Sequence, residues 1–215
     1  MEEQIMNMPA VALRGLTILP GMIAHFDISR ERSLRAVEEA MEQDQKIYLV
    51  TQRNVDSEDP TQEDLYQMGI VADIKQVVRL QNDVVRILVD GISRAALLGF
   101  TGNEKYLEAE ICYCDSNADS LPEDLREAML LGVREAFHRY AAVVGKISKE
   151  LIRQIDQYED LEKLIDYVTN NLPVSYELKQ QVLEAEDIND RYQVIVSLLL
   201  SQVEVISIKN ELQKK

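Results

Sequence analysis

The chain has 215 residues, 46% hydrophobic and 28% charged, enough apolar material for a packed core in one large domain or two small ones. It carries 23 basic against 38 acidic residues, a formal charge of −15, and both halves share the excess: 11 and 20 through Asp115, 12 and 18 after it. That balance excludes a nucleic-acid binder, which needs a basic face to displace phosphate counterions, and makes an anionic membrane surface a repulsive partner.

Residues 1–4 are acidic where a secretory leader is basic, so no signal peptide is expected and a cytoplasmic location is. Residues 10–13 form a short apolar strand. Residues 15–22 form a loop with the turn pair Pro20-Gly21, and residues 23–27 a second short strand. Ser29 stands as an N-cap before Leu34, Val37, Ala40 and Met41, whose helical spacing predicts a helix to Asp44. Residues 46–52 read as a buried strand, and residues 53–67 as a polar, acidic loop. The runs 69–80 and 84–90 flank Gln81-Asn82-Asp83 as a hairpin, and residues 93–100 and 106–114 supply two more strands.

Character changes at residues 115–122. Glycine is then limited to Gly132 and Gly145, and helix formers dominate. Residues 123–144 place Leu125, Met129, Val133, Phe137 and Tyr140 at helical spacing. Helices are expected over 149–158 after Ser148, over 161–171 before Leu172-Pro173, and over 176–184 after Ser175. Asp187 opens the last helix, about 40 Å long, with Ile188, Tyr192, Ile195, Leu199, Val203 and Ile206 on one stripe. No Gly or Pro stops it, which points to a chain cut from something longer; a natural end with basic residues against the helix dipole is the alternative. Its strongly apolar run, residues 194–200, is too short to span a bilayer.

Motifs for chemistry are missing. Gly145-Lys146-Ile147-Ser148 lacks the glycines and the Lys-Ser/Thr pair of a phosphate-binding loop. Neither a G-x-S-x-G elbow nor an HExxH helix occurs. His25 sits in an apolar strand and reads as a core residue; His138 reads as solvent-facing. Cys112 and Cys114, two apart on a strand, read as packing residues in a reducing compartment, with no zinc-type spacing to either histidine. The carboxylates Asp59, Glu63 and Asp64 lie in a polar loop and read as solvated. No catalytic, cofactor or metal residue emerges, and a binding or assembly module fits best.

The run from Met8-Pro9 through Leu13-Arg14 to Leu19-Pro20-Gly21-Met22 is followed by Arg30-Glu31-Arg32-Ser33, Asp64-Leu65-Tyr66, Gly69-Ile70-Val71 and Gly91-Ile92-Ser93-Arg94-Ala95. In this order the set resembles the amino-terminal, substrate-engaging domain of Lon-type ATP-dependent proteases. Leu164-Ile165-Asp166, Lys179-Gln180-Gln181 and Asp190-Arg191 match weaker family positions. Ala24-His25-Phe26 departs from the family's Pro-Leu, and Met68 and Ile70 replace its commoner Val and Thr.

The resemblance implies an α+β fold: a β-rich, PUA-like pseudo-barrel with one helix over residues 1–116, then an α-helical bundle with a long terminal helix over 117–215. It implies cytosolic protein quality control in a hexamer. The ATPase, with ATP and Mg, and the Ser-Lys peptidase of such a parent are expected elsewhere than in this segment. Implied partners are unfolded or damaged proteins and those two domains, with no nucleic acid and no membrane. A stand-alone adaptor or regulator of the same fold is the alternative.

A reader of unfolded chains needs apolar surface of its own. The loop 16–23 places five large apolar side chains around Pro20-Gly21. Leu19, Pro20, Met22 and Ile23, with Val78 and Leu80 at the hairpin edge, are the candidate substrate contacts; folding back onto the β core is the competing reading. Val203 and Ile206 are candidates for self-association, because the bundle is expected to run out along the last helix.

Overall fold

The computed structural model describes residues 4–214, and the chain forms two compact units, Met1–Cys114 and Asp115–Lys215. Residues 1–3, most of the acidic start noted above, lie outside the described residues.

The first unit runs β1 (Ile5–Leu13), β2 (Ile23–Ile28), α1 (Glu31–Glu42), β3 (Lys46–Thr51), β4 (Met68–Arg79), β5 (Val85–Phe100) and β6 (Glu108–Tyr113). The sheet order is β2-β5-β4-β3-β1-β6, and β5 pairs with β6 as well. Five strands therefore close on themselves, β1 and β3 in parallel and the other neighbours antiparallel, while β2 hangs on the first half of β5.

Side chains alternate across a strand, and here both faces are covered. Ala10, Ala12, Tyr48, Val50, Ala95 and Leu97 fill one core, and Val11, Leu13, Ile47, Leu49, Ile87 and Val89 fill a second with Val37 and Ala40 of α1. This is why residues 46–52 read as one continuous apolar run.

β5 is one strand of 16 residues, where the sequence pattern predicts two. Gly91 looks like a break but carries a close approach. A Cβ there would lie 2.4 Å from the Leu19 carbonyl oxygen and 2.8 Å from Ile70 Cδ1. The expected cap of α1 also differs. The chain stays extended through Arg30, which holds the N-cap position without a side-chain cap, so Ser29 lies one residue too early. β2 buries Ile28 and half-buries Ala24 and Phe26, so His25 faces outward and is no core histidine. Cys112 and Cys114 are half-buried.

The second unit holds α2 (Glu123–Val144), α3 (Lys149–Gln157), α4 (Leu161–Asn170), α5 (Tyr176–Glu184) and α6 (Ile188–Gln213). Ser148, Ser175 and Asp187 cap their helices by accepting from Leu151, Leu178 and Asn189 backbone N–H groups, and Asp160, unread in the sequence, caps α4. α6 packs on α2, α4 and α5 through Ile188, Ile195, Leu198 and Leu199. Where it meets α2, a Cβ on Gly132 would lie 2.1 Å from Tyr192 Oη. Among the described residues, α6 is the one helix long and apolar enough to cross a membrane. The seven-residue run did not indicate this, because Gln193, Ser201 and Gln202 interrupt the apolar stretch without adding charge.

Candidate functional site

The loop after β1 turns inward. Ile18 and Leu19 are fully buried. Thr17 Oγ1 lies 3.2 Å from Thr51 Oγ1, which donates to the Leu16 carbonyl at 2.7 Å. Gly21 N–H donates to the Gly91 carbonyl, and Gly91 N–H donates to that of Met22. The loop thus closes one end of the β core, and its apolar residues are there for packing. Leu19, placed in the candidate patch from sequence, is 0% exposed and touches no solvent. Met22 is half-buried against the core and Pro20 is half-buried. A Leu19→Ser change is expected to destabilise the chain by roughly 3 kcal/mol, through lost packing and a buried hydroxyl, and thermal unfolding checks it.

Three of the candidate residues do emerge. Ile23 is 69% exposed, Val78 38% and Leu80 39%. Val77 is as exposed as Val78 but lies on the opposite face of β4. They sit on β2 and on the outer end of the β4–β5 hairpin, whose turn holds Asn82 and Asp83 at positive φ. The register places Asp27, Arg86 and Val78 in one row across β2, β5 and β4, and His25, Leu88 and Gln76 in another. Ile23 lies four rows along from Val78 on the same outward face, with half-buried Leu88 between them. Arg86 donates to both Asp27 oxygens, at 2.8 and 3.0 Å, and this bond holds the Asp27 carboxyl below its usual range. This face thus sets apolar Ile23, Leu88 and Val78 among His25, Gln76, Asp73, Asp90 and the Asp27–Arg86 ion pair.

On α6, Val203 and Ile206 are half-buried, and the exposed stripe is Val205, Ile208 and Leu212. The sequence stripe, phased on Ile188, lies on the packed side of the helix. His138 is exposed and its Nε2 stands 2.7 Å from Asp156 Oδ1, linking α2 to α3. Among the described residues no three His, Cys, Asp or Glu side chains converge as a metal site.

The first unit is thus a closed β pseudo-barrel with one helix and the second a helical bundle ending in a long helix. The sequence matches the family described as the ATP-dependent protease La (LON) substrate-binding domain over residues 7–201, and the chain belongs to it. It is 36% identical over 215 residues to the Lon protease of Lachnoclostridium phytofermentans, covering 100% of this chain and 27% of that protein. It is 34% identical over 209 residues to the Lon protease of Clostridioides difficile, covering 96% and 27%. The chain thus spans about a quarter of the length of these relatives. In fold it is similar to the N-terminal domain of Mycobacterium avium complex Lon protease, with a TM-score of 0.73 and 18% identity over 90% of this chain and 98% of that one. A Lon N-terminal domain protein from Xanthomonas campestris gives a TM-score of 0.60 at 13% identity, over 89% and 98%.

Proposed function

We propose that this chain is the part of a Lon-type protease that engages unfolded or damaged polypeptides and delivers them to the ATPase and peptidase domains. ATP and Mg act in the ATPase, the assembly is a hexamer, and the setting is the cytoplasm, without nucleic-acid or membrane partners. The segment itself takes no cofactor and performs no catalysis.

The observation that carries this reading is the exposed apolar set Ile23, Val78 and Leu80 on an edge strand and the end of a β-hairpin. Unfolded chains differ from folded ones by exposed apolar side chains, and burying one such side chain yields at most about 1.5–3 kcal/mol. A few half-exposed residues therefore give weak, sequence-tolerant capture. A ring of six copies would strengthen it by effective concentration, without new contacts.

The test is a double variant, Ile23→Ser with Val78→Ser, titrated with a permanently unfolded protein. Affinity is expected to fall by roughly tenfold with a melting temperature lowered by only about a few degrees, since Ile23 is largely exposed and Val78 partly so. Unchanged affinity in the folded variant would remove this surface from the function.

A further inference from the structure

Among the described residues β2 pairs with β5 alone, so its other edge lies outside the sheet's hydrogen bonding. Beside the end of that strand lies a cavity of about 220 Å³, lined by Arg14, Leu16, Phe26, Ile28, Arg30 and Ser33 among others. Its charge runs against that of the molecule. Two guanidinium-bearing residues line it in a chain carrying −15. The one carboxylate in the lining, Asp27, is held by Arg86 through two hydrogen bonds. Glu58 and Asp59, which also act on Arg30, line the neighbouring cavity instead.

Both arginines keep donors to spare. Arg14 Nη2 donates to the Ser57 carbonyl at 3.1 Å and Arg30 Nη2 to Gln52 Oε1 at 2.8 Å, out of five N–H groups on each guanidinium. Burial, and then the nearby Arg14 charge, lower the proton affinity of Arg30, a crowding that an anion would relieve. The rest of the lining includes apolar Leu16 and Phe26, both partly buried.

We propose that this cavity takes the carboxy-terminal residue of a polypeptide. The α-carboxylate lies between Arg14 and Arg30, the terminal apolar side chain rests on Leu16 and Phe26, and the preceding residues lie along the free edge of β2. Main-chain pairing with an exposed strand supplies affinity for any sequence, and the charged pocket fixes the register at the chain end. The inference rests on the substrate-binding reading above and names a class of substrate: chains with an accessible, apolar carboxy terminus.

Fluorescence anisotropy with one labelled unstructured peptide ending in leucine tests it. The peptide is used as free acid, as carboxy-terminal amide, and as an amide with a glutamate inside the sequence. The free acid is expected to bind this chain roughly tenfold or more tightly than either amide. Arg14→Gln and Arg30→Gln are each expected to bring the acid down to the level of the amide and to leave the amide unchanged. Arg14 is exposed, so its variant decides the matter if Arg30→Gln fails to fold. Equal binding of acid and amide, or equal weakening of both by the arginine variants, overturns the site. An internal glutamate that matches the free acid overturns its terminal specificity. In each of these cases unfolded chains still bind, so the function stands; loss of all binding to unfolded chains is the result that overturns the function itself.

Discussion

Replacing Gly91 by alanine is expected to cost the β unit roughly 3 kcal/mol, although the change adds one methyl group. The added Cβ would meet the Leu19 carbonyl at 2.4 Å, Ile70 Cδ1 at 2.8 Å and Ile18 Cγ2 at 3.2 Å. A side-chain tip can swing aside, but the carbonyl cannot. The segment that carries it is tied to Gly91 itself by the Gly21 N–H and the Met22 carbonyl. Accommodating the methyl means lifting the loop and drawing buried Ile18 and Leu19 out of the core. Denaturant unfolding should show an earlier midpoint, and hydrogen exchange should show lost protection at the Gly21 and Gly91 amides. Exchange and midpoint equal to those of the parent would mean that the loop is not held as described.

Arg191→Met is expected to destabilise the helical unit by about 3 kcal/mol. Arg191 is 1% exposed and ties three pieces of chain together. Its Nε donates to the Ala185 carbonyl at 3.0 Å, Nη2 to that of Glu186 at 3.1 Å, and Nη1 to Glu162 Oε1 at 3.0 Å. One side chain thus fixes the exit of α5, the start of α6 and the first turn of α4. Methionine fills similar space but leaves two carbonyls and a carboxylate without their donors. Lysine is expected to recover little, because a single ammonium cannot reproduce the planar fork. Thermal unfolding followed by circular dichroism reads both variants; an Arg191→Lys protein as stable as the parent would show that charge alone suffices.

The helical unit was legible in sequence because its signals are local. Ser148, Ser175 and Asp187 sit directly before periodic apolar segments and act as caps there. Arg191 was not legible, since nothing local distinguishes a buried arginine from the exposed one that helix patterning predicts. The packed face of α6 was legible, since the stripe from Ile188 runs through buried Ile195 and Leu199, but its second, exposed face was not. Its apolar residues run almost all round the helix, so a stripe drawn from Ile188 reaches Val203 and Ile206 while the exposed set is Val205, Ile208 and Leu212.

In the β unit the strands were legible, but their continuity and facing were not. Gly91 carries the turn-like signature of a boundary, and only a tertiary contact with Leu19 explains a glycine inside β5. That contact also separates the candidate contact residues. Leu19 turns inward over Gly91, and Ile23, two residues past Gly21, returns to the surface. Composition made the whole loop look like a patch, and strand alternation from Ile23 onward decided which side chains face water. The Arg14–Arg30 cavity had no sequence signal, because its two arginines are sixteen positions apart and meet through the crossing from β1 to α1.

The central claim is that recognition of unfolded protein resides within these residues. It is tested most directly by titrating the isolated chain, without nucleotide and with its monomer and any dimer separated, against a permanently unfolded protein and the folded form of the same protein. Selective, saturable binding of the unfolded form is the predicted result. Binding of neither form, or equal binding of both, would contradict the claim and would leave the chain as a positioning element for the ATPase.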